Sequence, residues 1–146
     1  MFQLGFDIAS RIARPLNFWL IGPLGAGKTV FAKGLLKGIG ASEQATSPSY
    51  LVAKEYIDGR IRAVHLDLFR MSGIEKMREL GLLEYFDDSW LVICEWADRL
   101  ENHAEYGGLI VRFEYANSDK RTVEFEIVQN ATSSEISAEL GELILG

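Results

Sequence analysis

The chain has 146 residues, which is the usual size of one domain, so we expect residues 1–146 to form a single domain. Its formal net charge is −6, which argues against a large basic surface for nucleic acid. With 48% hydrophobic and 25% charged residues it has a globular composition, and no apolar run is long enough to span a bilayer. The single cysteine, Cys94, lies in an apolar run where a buried thiol is expected, and no signal peptide is recognisable. We therefore expect a cytoplasmic protein.

The first predicted element is an amphipathic helix over residues 2–13. One of its faces carries apolar residues spaced by about one helical turn: Leu4, Ile8 and Ile12. Pro15 prevents this helix from continuing. The apolar residues 16–21 then predict a buried strand.

A glycine-rich loop follows this strand. Gly22 to Thr29 fits the pattern G-x-x-x-x-G-K-[ST] of a phosphate-binding loop. Such a loop surrounds phosphate with backbone N–H groups, so side chains are excluded where it turns tightly, and the following helix N-terminus adds partial positive charge. Lys28 supplies a cation for the β- and γ-phosphates, and the Thr29 hydroxyl is placed for Mg²⁺. The predicted phosphate-binding residues are Gly22, Gly25, Ala26, Gly27, Lys28, Thr29 and Val30.

The loop is expected to lead into a helix and then a hairpin. Apolar residues recur at helical spacing after the loop: Phe31, Leu35 and Ile39. Gly40 signals the end of this helix, and strand, loop and helix together are the context that the motif requires. After a polar loop over residues 41–48, residues 50–57 and 60–67 predict two strands joined at Asp58-Gly59, a tight-turn signal.

The second half of the chain alternates helix and strand signals. Residues 72–75 form a capping box that opens a helix. Its apolar side carries Ile74, Met77 and Leu80. Residues 90–94 are apolar throughout, as in a central strand buried on both faces. Alternating patterns over 109–115 and 123–127 predict two half-buried strands, and a second capping box at 132–135 opens a last amphipathic helix.

These elements predict an α/β fold, a three-layer sandwich like that of the P-loop NTPases, with a mixed, partly parallel sheet and antiparallel hairpins. Motifs of several other nucleotide-binding classes are missing from the sequence. An Asn-Lys-x-Asp run for guanine is absent, which argues against a GTPase. The sequence also lacks the Leu-Ser-Gly-Gly run of transporter ATPases and an evident Arg-rich lid of a small-molecule kinase.

Two carboxylates end predicted strands, where ligands bind in open α/β sheets. Glu95 directly follows the apolar strand, and we interpret it as a carboxylate that helps to hold phosphate-bound Mg²⁺. Asp67 ends the second strand of the first hairpin. From the residues alone, it is equally compatible with a site residue and with a charge where a strand meets solvent.

Three further features have both a functional and a plainer interpretation. Residues 46–49 occupy the interval that reads the γ-phosphate in P-loop switch proteins, but an ordinary Ser/Pro turn is the favoured interpretation. His65 could be a general base, although a lone His in a strand is more often packed or partly exposed. Trp96 could contact a partner or the nucleotide, or lie in the core.

Four motifs, taken in order, resemble the TsaE (YjeE) family, the small ATPases of tRNA threonylcarbamoyladenosine biosynthesis. They are Gly22-Pro23-Leu24-Gly25-Ala26-Gly27-Lys28-Thr29, Ser47-Pro48-Ser49-Tyr50, His65-Leu66-Asp67-Leu68-Phe69-Arg70 and Glu95-Trp96. The departures are small. Ser49, Phe69 and Ala97 stand where Thr, Tyr and Pro are common in the family.

The resemblance implies an ATPase, with ATP and Mg²⁺, that is needed to install threonylcarbamoyl on the adenosine next to the anticodon of certain tRNAs. It implies TsaD- and TsaB-like partners, with tRNA reached only through that complex. By position, Lys28 would bind phosphates, and Thr29 and Glu95 would hold Mg²⁺. Asp67 would support hydrolysis, so that Lys28, Asp67 and Glu95 are the implied catalytic residues. Residues 47–50 would form a switch-like segment.

Two other functions stay open. In a nucleotide-gated binding module, ATP would order the segment near Ser47 and create a docking surface, and hydrolysis would be incidental. In a small-molecule phosphotransferase, phosphate would pass to an acceptor other than water. The missing lid argues against that second alternative.

Overall fold

The computed structural model describes residues 1–42 and 52–128 of the chain. The helices are α1 (Phe2–Arg11), α2 (Lys28–Gly38) and α3 (Ile74–Glu79). The strands are β1 (Asn17–Ile21), β2 (Ala53–Tyr56), β3 (Ala63–Asp67), β4 (Leu91–Glu95), β5 (Gly108–Tyr115) and β6 (Arg121–Val128). Short 3₁₀ helices lie at Leu82–Phe86, Ala97–Arg99 and His103–Tyr106. In the part of the chain that is described, no helix is long and apolar enough to cross a membrane.

The described strands form one mixed sheet in the order β2-β3-β4-β1-β5-β6. The four inner strands run parallel, whereas β2 and β6 pair antiparallel with their neighbours at the two edges. Every residue of β4 is buried, because helices cover both faces of the centre of the sheet. The predicted α/β fold with a mixed sheet and antiparallel hairpins is therefore confirmed.

Helices α1 and α2 cover one face of the sheet and cross each other closely. Gly34 of α2 allows this approach, because an added Cβ would collide with the carbonyl oxygen of Phe2 on α1. One turn later, a Cβ on Gly38 would lie 2.6 Å from the carbonyl oxygen of Phe6. Apolar side chains of both helices, among them Ile8 and Leu35, then pack with the strands into one core. This packing fixes where α2 begins, which is where the glycine-rich loop ends.

The opposite face of the sheet is covered by α3 and the 3₁₀ helices. Trp19 of β1 is fully buried there, and its ring centroid lies 5.3 Å from that of Phe86. Its indole N–H donates to the carbonyl oxygen of Gly107 at 2.9 Å, so the polar atom of this large side chain is satisfied. Cys94 is also buried on this face, which agrees with the expected buried thiol.

The turn of the first hairpin differs from the prediction. Strands β2 and β3 pair antiparallel as expected, but residues 57–62 connect them, not Asp58-Gly59 alone, so β3 begins three residues later than predicted. The reason is a tertiary contact of Arg60. Its guanidinium donates to the carbonyl oxygens of Ala9 at 2.5 Å and Ile12 at 2.7 Å, at the end of α1. These bonds hold the connection against the helix and away from the strand ladder.

The prediction of a capping box at residues 72–75 is also wrong. The N-cap of α3 is Gly73, one residue after Ser72, and it forms no side-chain cap. Met77 is buried as predicted, but Leu80 is 48% exposed, because so short a helix ends before that residue. The second capping box and the last helix lie outside the described residues.

Candidate functional site

Parallel strands β1, β3 and β4 end at one edge of the sheet, where the glycine-rich loop begins. Glu95, the last residue of β4, is paired in register with Asp67 of β3 and Leu20 of β1. Side chains two residues apart in a strand lie on the same face. Leu91 and Ile93 of β4 pack in the core that includes α2. Glu95 therefore lies on the face where α2 begins.

The loop turns the chain from β1 into α2. Gly27 is the N-cap of α2 and has a φ of 110°, a conformation that residues with side chains rarely adopt. Gly22 runs so close to β5 that an added Cβ would lie 2.5 Å from the carbonyl oxygen of Phe113. The Phe31 N–H donates to the Gly27 carbonyl at 2.9 Å, so the amides just before Phe31 have no acceptor within α2. Such amides make a helix N-terminus suited to an anion.

The hairpin of β5 and β6 supports the loop from outside. The Tyr115 hydroxyl donates to the carbonyl oxygen of Leu24 at 2.5 Å. The guanidinium of Arg121, on β6, lies 4.2 Å from the centre of the Tyr115 ring. Residues far from the glycine-rich loop in sequence thus stabilise its conformation.

Lys28 is a buried cation at the start of α2, with only 5% of its surface exposed. Its Nζ donates to the carbonyl oxygens of Gly22 and, at 2.9 Å, of Pro23, and lies 4.0 Å from the centre of the Trp96 ring. Burial lowers the pKa of Lys28 from its ordinary value of 10.5, although nearby carboxylates, Glu95 first among them, act in the opposite direction. Because its present hydrogen-bond partners are neutral carbonyls, an anion in the cavity would be a stronger partner.

Glu95 takes part in two hydrogen bonds although it is only 3% exposed. The Thr29 hydroxyl donates to its Oε1 at 2.9 Å. On the other side, Nε2 of the fully buried His65 lies 2.6 Å from Oε2. The carboxylate therefore joins the first turn of α2 to the interior of β3.

These groups line one cavity of about 290 Å³. Its polar wall includes Gly25, Gly27, Lys28, Thr29, Asp67 and Glu95. Asp67 is half-buried, and its Oδ1 accepts a hydrogen bond from the Phe69 N–H at 3.0 Å. The three residues implied as catalytic, Lys28, Asp67 and Glu95, thus come together at this cavity, as expected from the carboxyl ends of adjacent strands.

Apolar side chains form the rest of the cavity wall. They are Leu24, Val30, Phe69 and Trp96. Trp96 has a φ of 57°, which is uncommon for a large side chain, and its ring centroid lies 4.9 Å from that of Phe69. Trp96 is half-buried: it contacts Lys28 at the cavity and also packs against the edge of the core.

Five of the seven predicted phosphate-binding residues line the cavity. The two that do not are Gly22 and Ala26, which shape the loop from behind; Ala26 is buried, and its N–H donates to the Pro23 carbonyl at 3.2 Å. The predicted switch segment, residues 47–50, lies outside the described residues.

The hydrogen bond between His65 and Glu95 was not predicted from the sequence. The sequence signal for it is that His65 and Asp67 are two residues apart and so share one face of β3.

The oxygen atoms of this site fit a magnesium ion that is shared with a phosphate. Mg²⁺ usually takes one or two protein carboxylates together with water and substrate phosphates. The Thr29 hydroxyl and the Glu95 carboxylate present oxygens 2.9 Å apart on the cavity wall. Among residues 1–42 and 52–128, no group of three or more His, Cys, Asp or Glu is arranged to hold a metal ion on its own. The arrangement suits a metal that arrives with a phosphate.

Comparisons with known proteins point to one family. The family model described as "Threonylcarbamoyl adenosine biosynthesis protein TsaE" matches residues 1–123. The tRNA threonylcarbamoyladenosine biosynthesis protein TsaE of Bacillus subtilis is 37% identical over 111 residues, which are 76% of this chain and 69% of that protein. The protein of the same name from Haemophilus influenzae is 31% identical over 125 residues, 86% of this chain and 78% of that protein.

A solved structure agrees with these matches. The crystal structure of Bacillus subtilis YdiB superposes on this chain with a TM-score of 0.74 and 29% sequence identity. The superposition covers 99% of this chain and 87% of that one.

Proposed function

Since this chain belongs to the TsaE family of threonylcarbamoyl adenosine biosynthesis proteins, we propose that it is an Mg²⁺-dependent ATPase acting in that tRNA modification pathway. One observation carries the proposal: the Thr29 hydroxyl donates to the Glu95 carboxylate beside the buried ammonium of Lys28. P-loop proteins bind a nucleoside triphosphate and its metal with the same groups. These groups are a lysine and a hydroxyl at the start of the helix that follows a glycine-rich loop, together with a carboxylate.

Each of these side chains has a role that follows from its present contacts. Lys28, whose Nζ donates to the carbonyl oxygens of Gly22 and Pro23, would pair with the phosphates, which are more negative partners than a carbonyl. Thr29 and Glu95 would supply the protein oxygens for Mg²⁺, and the bound ion would neutralise charge on the phosphate oxygens. The amides at the start of α2 hold the phosphates in place.

Asp67 is the candidate to position the attacking water. It lies on the cavity wall, paired in register with Glu95, and on the same face of the sheet. Its carboxylate is half-buried and reachable from the cavity. A water held by this carboxylate would be oriented towards the terminal phosphate, which is the task that a protein has in phosphoryl transfer to water.

We also propose that the chain works with TsaD- and TsaB-like partners and reaches tRNA only through them. The mouth of the cavity carries apolar side chains that a partner would cover: Leu24 is 81% exposed, Phe69 49% and Val30 44%. The net charge of −6 favours action through proteins over a direct footprint on nucleic acid.

The test is ATP turnover with Mg²⁺, measured with and without TsaB- and TsaD-like partners. We expect Lys28→Ala and Glu95→Ala to lower turnover by about 10²–10³-fold, the range for removing one charge-stabilising group. Lys37→Ala, an exposed lysine on the same helix, and Glu84→Ala, an exposed acid, are matched controls that should keep full turnover. Full turnover in both site variants would reject these roles.

The same experiment separates the gated binding module from an ATPase. If Glu95→Ala lacks turnover but still binds its partners in an ATP-dependent way, and tRNA modification still proceeds, then hydrolysis is incidental. Loss of modification together with turnover supports the ATPase.

A further inference from the structure

His65 is a buried polar residue that the proposed function leaves without a role. It lies in the middle of β3, is fully buried and is paired in register with Ile93 of β4. Its Nε2 lies 2.6 Å from Oε2 of Glu95. Within the described ranges, its Nδ1 has no hydrogen-bond partner.

This geometry assigns the proton of the imidazole. A carboxylate oxygen accepts hydrogen bonds, so a hydrogen on Nε2 makes the 2.6 Å contact a donor–acceptor pair. Nδ1 then has only a lone pair, which is the less costly state for a buried atom without a partner, since a buried N–H would need an acceptor. A hydrogen on Nε2 and none on Nδ1 fit the surroundings of both nitrogen atoms.

The bond fixes the orientation of the Glu95 carboxylate. A carboxylate held at one oxygen still rotates about its last side-chain bond, whereas one held at both oxygens does not. Glu95 is held at Oε1 by Thr29 and at Oε2 by His65. Without the imidazole, Oε2 would be a buried charged oxygen lacking a donor, and the carboxylate would turn to find one.

We propose that His65 is a positioning residue for the magnesium site: it holds Glu95 so that Oε1 stays beside the Thr29 hydroxyl. The inference rests on the proposed function, because it gives a purpose to the Glu95 orientation only if Glu95 binds Mg²⁺. A purely structural His65 would be replaceable by an apolar residue of similar size, since its face of β3 also carries the apolar core residue Ala63. The positioning role therefore requires a hydrogen-bond donor at position 65, whereas a purely structural role does not.

The test compares His65→Leu with His65→Gln. Leu fills similar space without a donor, whereas the amide of Gln places an N–H near the former Nε2. The affinity for ATP is measured by titration calorimetry for each protein, once in Mg²⁺ and once in EDTA, and the ratio of the two affinities is the readout. We expect His65→Leu to reduce the ratio by about 10–100-fold, as when an outer partner of a metal ligand is removed, and His65→Gln to restore most of it. The affinity for ATP in EDTA should be the same in all three proteins, because the substitutions leave the glycine-rich loop unchanged.

The outcomes separate the two proposals. If the wild type does not bind ATP under either condition, the proposed function fails. If the wild type gains affinity from Mg²⁺ and His65→Leu gains as much, or if His65→Gln is as impaired as His65→Leu, the positioning role is wrong while the proposed function stands.

A measurement on the unmodified protein covers the case in which His65→Leu does not fold. Long-range ¹⁵N–¹H NMR of the nucleotide-free protein reports which ring nitrogen carries the proton. We expect a protonated Nε2 and an unprotonated Nδ1 for His65. A proton on Nδ1 and a bare Nε2 would overturn the inference.

Discussion

At the scale of single residues, the site is built around a buried cation, the ammonium of Lys28. Lys28 is 5% exposed, and burial lowers its pKa from the ordinary value of 10.5. Its charge is partly compensated by two loop carbonyls and by the face of Trp96. The burial of this ammonium costs stability, and an anion bound in the cavity would offset that cost.

The first prediction concerns this cost. Lys28→Met keeps the length of the side chain but removes the buried charge, so we expect the nucleotide-free protein to gain about 1 kcal/mol of unfolding free energy at pH 7. Urea unfolding measures this gain. Lys37→Met, on the exposed side of the same helix, is the control and should change stability by less than about 0.5 kcal/mol.

The gain should also depend on pH. Between the lowered pKa of Lys28 in the folded state and 10.5, this side chain binds a proton more fully in the unfolded chain than in the folded one, so the destabilisation that Lys28 causes becomes smaller as the pH rises through this window. The difference between Lys28→Met and the wild type should therefore shrink from neutral pH towards pH 10.5. A difference that grows over that interval would contradict the assignment of the burial cost to Lys28.

At the scale of elements, the close crossing of α1 and α2 determines where the loop delivers its residues. Helix α2 carries Lys28 and Thr29 in its first turn, so any shift of its axis moves both side chains relative to Glu95 on β4. The crossing depends on glycine because the backbone of α1 lies directly against Gly34. We therefore expect packing on the α1 side of α2 to affect the geometry of the cavity.

The second prediction tests that coupling. In Gly34→Ala, the better helix propensity of Ala is worth about 1 kcal/mol, but the collision with the Phe2 carbonyl requires a backbone shift. We expect a net loss of about 1–3 kcal/mol in urea unfolding, together with weaker ATP binding in calorimetry. Lys37→Ala is again the matched control on α2. If the stability of Gly34→Ala is unchanged, α1 and α2 can move apart at no cost in free energy, which would contradict the prediction.

At the scale of the whole molecule, the charge distribution limits what the chain does alone. The formal net charge is −6, with 21 acidic and 15 basic residues. Several arginines are engaged within the fold, for example Arg60 with the end of α1 and Arg112 with Glu126 at 2.6 Å. We therefore expect the isolated chain to have only weak electrostatic attraction to a phosphate backbone.

The third prediction follows from this balance. At an ionic strength of about 0.15 M, the isolated chain should not retain tRNA in filter binding, since few counterions would be released. With TsaB- and TsaD-like partners present, tRNA should be retained by the assembly. Strong, salt-sensitive retention by the chain alone would show that a local basic patch outweighs its net charge.

The features that the sequence predicted are those with local causes. The glycine-rich loop, the apolar strand over residues 90–94 and the hairpin of β5 and β6 agree with the structure, because backbone sterics and alternating burial act over a few neighbouring residues. The position of Glu95 at this edge was also expected from sequence, because the carboxyl ends of buried parallel strands meet at the binding edge of the sheet.

The tertiary structure decided the features that depend on residues far apart in the chain. The Arg60 bonds to the end of α1 moved the start of β3, and a local turn signal contains no information about that distant helix. The pairing of His65 with Glu95 depends on the register of β3 against β4, which brings together side chains 30 positions apart. The sequence by itself therefore determined which groups could do chemistry and where each strand would deliver them. Only strand register and helix packing decided which of those groups touch, because hydrogen bonds between side chains depend on distances that no local pattern specifies.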